Sequence, residues 1–380
     1  MKKILFSAST LSHIENFHIP YLKYFKQLGF EVHIMGKPNN KSQIPYIDKL
    51  IPIDFEKSIF SIKNIINIFR ISKILRKEKY SVINTHTILA SFFTRLSIII
   101  SFKKSPLVIN TVHGYLFDEN SNFLKKFIMI VVEKLVKPVT DIILVMNSTD
   151  YEIAKKYNFY KNNLYFINGM GINASKFPLN TLENKLALRE KFNFSKNDFL
   201  LIYTAEFSKR KNQKFLIEAI KHLYDEGYTD IKLILLGDGN LFNNIKEFAH
   251  SLNIDKNIIF AGYQKNVCTY YHISDICVSS SRIEGLPFNI MEAMSTGLPI
   301  IASKIKGHID LVTPSKNGFL FKYNNIEEFC GYVKELYNNR ELLADMEITS
   351  NSISKKYSLE SVFSKNTNIM FEEISKRIEI

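Results

Sequence analysis

Apolar runs rich in β-branched residues alternate with segments of helical periodicity along most of the chain, and the series runs through twice. First, Lys3–Ser7, Glu31–Met35, Ser81–Thr85, Leu107–Val112 and Asp141–Met146 read as strands, with Ile14–Leu28, Ile62–Arg76, Leu89–Ile100 and Asn122–Val136 as helices between them. These strands are apolar at consecutive rather than alternate positions, so both their faces are to be covered. Covered strands separated by helices build a parallel, doubly wound sheet. The pattern restarts with Phe199–Ala205, Ile231–Leu236, Asn257–Ala261, Asp275–Ser279 and Leu298–Ala302 as strands. Its helices are Asn212–Tyr224, Leu241–Leu252, Phe288–Ser295 and Ile326–Tyr337. The fold class expected is α/β, with two Rossmann-like domains (1–170 and 171–380) facing a central cleft. Gly169, Gly171 and Pro178 mark the junction. Val362, Ile369, Met370 and Ile374 recur at helical spacing near the end, so 359–380 is expected as a closing helix that packs back toward the first domain.

Composition narrows the class. The chain has 380 residues, 46% hydrophobic and 23% charged, which excludes disorder, collagen and coiled coil as the main state. The three cysteines are an odd count without metal-ligand spacing, which fits a reducing compartment rather than a disulfide scaffold. The opening MKKILFSAST has too short an apolar run for a secretory signal, and no window reaches about 18 uninterrupted apolar residues. A cytoplasmic protein is expected. The formal charge is +13, and residues 1–170 hold 24 Lys and Arg against 12 Asp and Glu. Such a field suits anionic lipid, nucleic acid or a phosphorylated substrate, although a codon bias toward Lys, Asn and Ile would also produce it. No nucleic-acid-binding module accompanies it, so no nucleic acid is expected as a partner. Within Phe123–Val139 an apolar face is interleaved with Lys125, Lys126, Lys134 and Lys137. It reads either as a core-packed helix or as a surface for anionic membrane, according to whether Phe127, Ile130 and Val131 face sheet or lipid.

The stretch Ser279–Ala302 carries the most chemistry. A strand ends at Ser279, a polar loop leads to Glu284-Gly285-Leu286-Pro287, and a helix is to run from Pro287 through Phe288 and Asn289 to Ser295, with Gly297 as its stop. Gly285 lets the backbone turn tightly before it. The helix start directs amide groups and a positive dipole end at the region beyond the strand ends, a ready phosphate site. Glu284 and Glu292 lie eight residues apart, one before the helix and one within it. Glu292 is placed to accept from vicinal ribose hydroxyls, and Glu284 to address the sugar or the charge developing at its anomeric carbon. A pair of glutamates at a helix start is more often a solvated, dipole-stabilising pair; the adjoining Gly, Pro and strand–loop–helix setting favours the ligand reading. Ser208-Lys209-Arg210-Lys211-Asn212, between a strand and a helix, suits a diphosphate. Leu236-Gly237-Asp238-Gly239-Asn240 marks another strand-to-helix turn, and the absence of a full Gly-x-Gly-x-x-Gly counts against a dinucleotide enzyme.

Glu284 through Glu292, with Gly297-Leu298-Pro299, resembles the Glu-x7-Glu motif of family 4 glycosyltransferases, retaining nucleotide-sugar enzymes of the GT-B fold that build bacterial capsule, exopolysaccharide or lipopolysaccharide O-chains. The resemblance extends along nearly the whole chain. It implies transfer of a hexosyl or N-acetylhexosaminyl unit from a nucleotide sugar, UDP being expected on family grounds, to a growing glycan; the basic first domain fits an acceptor carried on a lipid diphosphate at the inner membrane face. It implies that Arg210 and Lys211 contact the diphosphate, that Gly237, Gly262 and Tyr263 lie near the donor and its base, and that His113 lies close to the transferred sugar as a catalytic residue beside Glu284. His13, Asn16 and His86, after the first and third strands, are placed to reach the donor and acceptor. Two departures stand out: the usual Gly-Arg reads Ala205-Glu206, and the Ser9–His13 loop has no glycine. No Asp-x-Asp occurs, so no essential metal or other cofactor is expected. The rival readings are a sugar-nucleotide epimerase of the same plan, against which the two glutamates argue, and a non-catalytic partner subunit.

Overall fold

The computed structural model describes residues 2–378 apart from 39–42, 57, 60, 102–105 and 120. The chain divides into unit 1, Met1–Gly171 with Glu360–Ile380, and unit 2, Ile172–Leu359.

Unit 1 runs β1 (Lys3–Thr10), α1 (Leu11–Phe17), α2 (Ile19–Gln27), β2 (Glu31–Lys37), β3 (Lys49–Pro52), α3 (Ile62–Glu78), β4 (Val82–His86), α4 (Ile88–Ser101), β5 (Leu107–Val112), α5 (Phe123–Val136), β6 (Ile142–Val145), α6 (Ser148–Tyr157) and β7 (Asn163–Phe166). Its parallel sheet has the order β3-β2-β1-β4-β5-β6-β7. β4, β5 and β6 are buried at every position, the double coverage that their unbroken apolar runs require. The single helix expected over Ile14–Leu28 is two: it starts at Leu11 and breaks at His18. Pro20 sits in the first turn of α2, where its missing N–H costs nothing; inside one long helix it would delete a bond and clash with the turn before. The sequence reading left out β3 and β7, which are short edge strands exposed or half-buried at most positions and therefore without a strong apolar run.

Unit 2 runs α7 (Leu182–Lys191), β8 (Phe199–Thr204), α8 (Gln213–Asp225), β9 (Ile231–Leu236), α9 (Phe242–Ser251), β10 (Ile258–Gly262), α10 (Val267–Ile273), β11 (Ile276–Ser279), α11 (Phe288–Ser295), β12 (Ile300–Ser303), α12 (His308–Leu311), β13 (Gly318–Phe321), α13 (Ile326–Asn338) and α14 (Arg340–Ser354). The parallel sheet order is β10-β9-β8-β11-β12-β13. Its core packs Phe199, Leu201 and Tyr203 of β8 with Phe215 and Leu216 of α8 and Phe329 and Val333 of α13.

The last helix, α15 (Leu359–Ser375), belongs to unit 1 from Glu360 onward. Val362, Met370 and Ile374 are buried there. Asn366 Nδ2 donates to Tyr21 Oη at 3.0 Å and to the Gly169 carbonyl at 3.1 Å, and Glu373 accepts from Tyr165 at 2.7 Å and Asn163 at 3.0 Å.

Each sheet changes winding direction once, between β1 and β4 in unit 1 and between β8 and β11 in unit 2. In open parallel sheets ligands collect outside the carboxyl ends of the strands at such a switch point. Each unit therefore has one favoured place for a site.

Candidate active site

At the unit 2 switch point two loops are bound together, 205–212 after β8 and 280–287 after β11. The Arg282 N–H donates to the Arg210 carbonyl at 2.9 Å. Ser280 Oγ donates to the carbonyls of Lys211 and Asn212 at 3.0 and 2.9 Å. Tyr203 Oη, buried under both loops, lies 2.7 Å from Ser281 Oγ and donates to the Lys211 carbonyl at 3.2 Å. The basic residues and Glu284 are thereby brought together: one oxygen, Glu284 Oε1, accepts from Lys211 Nζ at 2.6 Å and from Arg210 Nη1 at 3.0 Å. The Glu284 and Lys211 side chains are almost fully buried, while that of Arg210 is 44% exposed. Burial works to raise the Glu284 carboxyl, but the charges of Lys211 and Arg210 overcome it and hold the group below its ordinary value. Burial, helped by Arg210 and opposed by Glu284, pulls the Lys211 ammonium down. Two cations share one carboxylate, so a positive charge is left over, with the guanidinium as its outer member.

Pro287 caps α11 in extended geometry (φ −74°, ψ 123°), and Gly297 at φ +96° stops it, the Leu298 N–H returning to the Ala293 carbonyl at 3.0 Å. Leu286 and Pro287 are buried and anchor this turn; Phe288 and Asn289 are half-buried. Asn289 Nδ2 is a buried donor with no partner among the described contacts. Glu292, in the second turn, is surrounded differently from Glu284. Among the described contacts its Oε2 has one long one, 3.5 Å, with Tyr271 Oη, and burial raises its carboxyl to about 7, the Tyr271 hydroxyl opposing. Among the described residues no hydrogen bond or ion pair joins the two glutamates.

Gly285 does not take up the left-handed backbone that a tight glycine turn suggests. The position that demands glycine is Gly307, at φ +81°, where a Cβ would stand 2.4 Å from the Gly285 carbonyl oxygen. Gly237 and Gly262, at the ends of β9 and β10, meet directly: the Gly237 N–H donates to the Gly262 carbonyl at 2.8 Å. A Cβ on Gly237, at φ +136°, would lie 2.1 Å from the Ala205 carbonyl, which binds this turn to the loop carrying the cations. Tyr263, next in the chain, is 75% exposed.

In unit 1, His13, His86 and His113 converge at the switch-point end of the sheet. His113 Nε2 lies 3.3 Å from His13 Nε2 and 3.2 Å from His86 Nδ1. The sequence reading missed His18, whose ring centroid lies 3.9 Å from that of His86 with the planes tilted by 44°; its spacing of five from His13 was the available signal. Burial depresses all four, His13 to about 4 and the others well below the ordinary histidine value, so all are neutral at pH 7. Asn16 does not join them; it lies exposed on α1. Thr87 beside His86 is a β-branched residue at φ +59°, an outlier held by its Oγ1, which accepts from the Ser9 N–H at 2.9 Å and ties the β1 and β4 loops. A cavity of about 300 Å³ extends from His13, His113 and Thr87 past Phe92, Val112 and Phe117 to Met129 and Val132 of α5.

Two doubly wound parallel sheets in one chain, with a charged pair and a helix start at the switch point of the second, define the GT-B class of transferases. The comparisons agree. Residues 184–351 match the family model described as glycosyl transferases group 1, and residues 3–148 match the one described as glycosyl transferase 4-like. EpsD of Bacillus subtilis, named a glycosyltransferase, is 32% identical over 90% of this chain and 89% of its own length. The UDP-Gal:α-D-GlcNAc-diphosphoundecaprenol α-1,3-galactosyltransferase of Escherichia coli is 27% identical over 87% of this chain and 86% of its own. Among solved structures, Anabaena HepE in complex with UDP superposes with a TM-score of 0.77 at 14% identity, covering 98% of this chain and all of that one. The chain belongs to this glycosyltransferase family and is a transferase of the GT-B fold.

Proposed function

We propose that the protein transfers a hexosyl or N-acetylhexosaminyl unit from a UDP-sugar, with retention at the anomeric carbon, to a lipid-diphosphate-linked intermediate of a bacterial surface glycan. The observation that carries the reading is the Arg210–Lys211–Glu284 cluster beside the start of α11 at the unit 2 switch point. Breaking the glycosyl–phosphate bond puts negative charge on the leaving diphosphate, and Arg210, Lys211 and the α11 amides are fixed where they stabilise it. Glu284 holds both cations in place and remains ionised, able to balance positive charge on the sugar. The unpartnered Asn289 amide supplies a further buried donor. Glu292 takes the ribose hydroxyls, and exposed Tyr263 with Gly262 the base. His113 serves the sugar at the end of β5, with His13 and His86 beside it. The leaving phosphate oxygen takes the acceptor proton.

Names of relatives support the donor and acceptor: a UDP-galactose enzyme acting on a diphosphoundecaprenol-linked sugar, and a structural neighbour solved with UDP-glucose. The lipid side of the reading rests on α5. Phe123, Leu124, Phe127, Val131 and Leu135 are 47–81% exposed, and α5 buries only Glu133 and Val136. Helix α3 exposes Ile62, Ile65, Ile66 and Phe69 in the same unit. Apolar side chains among lysines suit the inner membrane surface, where peripheral contact places the apolar cavity near the carrier lipid. Among the described residues no helix is long and apolar enough to cross a membrane.

The test is a thermal-shift and hydrolysis screen of UDP-, GDP- and ADP-sugars with wild-type and Lys211→Ala protein. Selective stabilisation by UDP-sugars, lost in the variant, is the expected result; indifference of the wild type to all three overturns the reading.

A further inference from the structure

Four imidazoles meet beyond the carboxyl ends of β1, β4 and β5. His13 lies in α1, His18 separates α1 from α2, His86 ends β4 and His113 follows β5. One ring nitrogen from each lies within 4.8 Å of one from every other. His113 Nε2 faces two ring nitrogens at 3.2 and 3.3 Å. A neutral imidazole nitrogen carries either one N–H or one lone pair, so it cannot satisfy both neighbours by ordinary hydrogen bonds. Both nitrogens of the fully buried His18, and Nε2 of His86, have no partner among the described contacts. Each such buried group is costly unless something binds it. Nitrogens at 2.0–2.1 Å from a tetrahedral ion stand about 3.3 Å from one another, the separation His113 Nε2 has from His13 Nε2 and His86 Nδ1, and the other pairs lie within 4.8 Å.

We propose that His13, His18, His86 and His113 bind a divalent first-row transition-metal ion of the zinc type. Neutral imidazoles suit zinc, copper or nickel, whereas magnesium and calcium prefer oxygen. His13 and His113 are only half-buried, which gives the ion an entry path and a side open to water or an anion. Its role is positional: it ties together the loops after β1, β4 and β5 and engages Nε2 of His113 while leaving Nδ1 on the far side of the ring. The transfer chemistry at Arg210 and Lys211 does not pass through it.

The test uses untagged full-length protein stripped with chelator and titrated with zinc alone by calorimetry, then with cobalt alone by visible absorption. One equivalent of zinc, a tetrahedral cobalt spectrum, and a melting temperature raised by zinc but not by magnesium are expected. His18→Phe replaces an unpartnered buried ring by an apolar one of similar size. It is expected to weaken zinc binding about 100-fold or more while leaving the metal-free melting temperature equal or higher. His13→Ala, at the half-exposed edge, is a second variant expected to lose binding without threatening the core. Absence of stoichiometric binding by the stripped wild type, or unchanged binding in the folded variants, overturns the proposal. The assay needs no nucleotide sugar, so its failure is separate from failure of the transferase reading.

Discussion

Glu284 and Glu292 share one helix start yet are held in opposite electrical states, and the difference is testable by pH. Glu284 is depressed by its two cations. Its contribution to stability is present above the ordinary carboxyl value and is lost as the pH falls through the folded one. Glu292 is raised to about 7 by burial, so from its ordinary value of 4.5 up to about 7 the folded state holds a proton that the unfolded chain has released. Stability therefore falls as pH rises through that window. Glu292→Gln is expected to be more stable than wild type at pH 8, by on the order of 2–3 kcal/mol, with the gap closing near pH 4.5. Denaturant melts at both pH values check this, and a gap independent of pH contradicts the burial account. The same variant should bind UDP-sugar more weakly, since a carboxamide is a poorer acceptor for two hydroxyls. For Lys211→Ala, a fall in kcat of about 100- to 1000-fold is expected from the loss of one preorganised charge at the leaving diphosphate. Steady-state transfer assays measure it. Both glutamates and the basic loop were legible in the sequence as a strand–loop–helix pattern. That one carboxylate oxygen holds both cations was not, because the partners lie 73 and 74 positions away.

Helix α5 is held to its unit by a buried ion pair together with an inward apolar edge, where Val136 is buried and Met129, Ile130 and Val132 pack against the core. Glu133 accepts from Arg95 of α4 through both oxygens, at 2.9 and 3.1 Å, with Arg95 fully buried. Replacing Glu133 by Leu strands that guanidinium and is expected to cost about 3–5 kcal/mol, read as a lowered denaturation midpoint. Phe123→Ser with Phe127→Ser removes only exposed rings, so stability should hold within about 0.5 kcal/mol while flotation with anionic vesicles drops. Equal flotation of the double variant and the wild type removes the membrane contact. The periodicity of α5 could not decide between sheet and lipid, since an apolar stripe looks the same in either setting. In the structure Phe127 and Val131 are exposed, while Ile130 is half-buried against the core. The break at His18 has a local cause, Pro20, that could have been read; the single helix expected there gave the apolar period more weight than the proline.

At the scale of the whole molecule, α15 completes unit 1 although it is last in sequence. Deleting residues 360–380 removes the buried Val362, Met370 and Ile374, each representing about 1.5–3 kcal/mol of apolar burial, together with the Glu373 and Asn366 hydrogen bonds. The truncated protein is expected to melt in two steps by calorimetry, with the unit 1 transition lowered and the unit 2 transition unmoved. A uniform shift of a single transition contradicts this. The two parallel sheets, their principal helices and the strand-end loops that carry chemistry are readable from the chain's residue order alone. Those follow from runs and turn residues within a few positions of one another, where periodicity and backbone preference act. That His13, His18, His86 and His113 form one cluster, that Gly307 rather than Gly285 needs glycine, and that Glu292 is raised while Glu284 is lowered emerges from the folded chain. Strand order is set by crossovers between elements far apart in the chain, and a buried group's charge depends on the neighbours those crossovers supply.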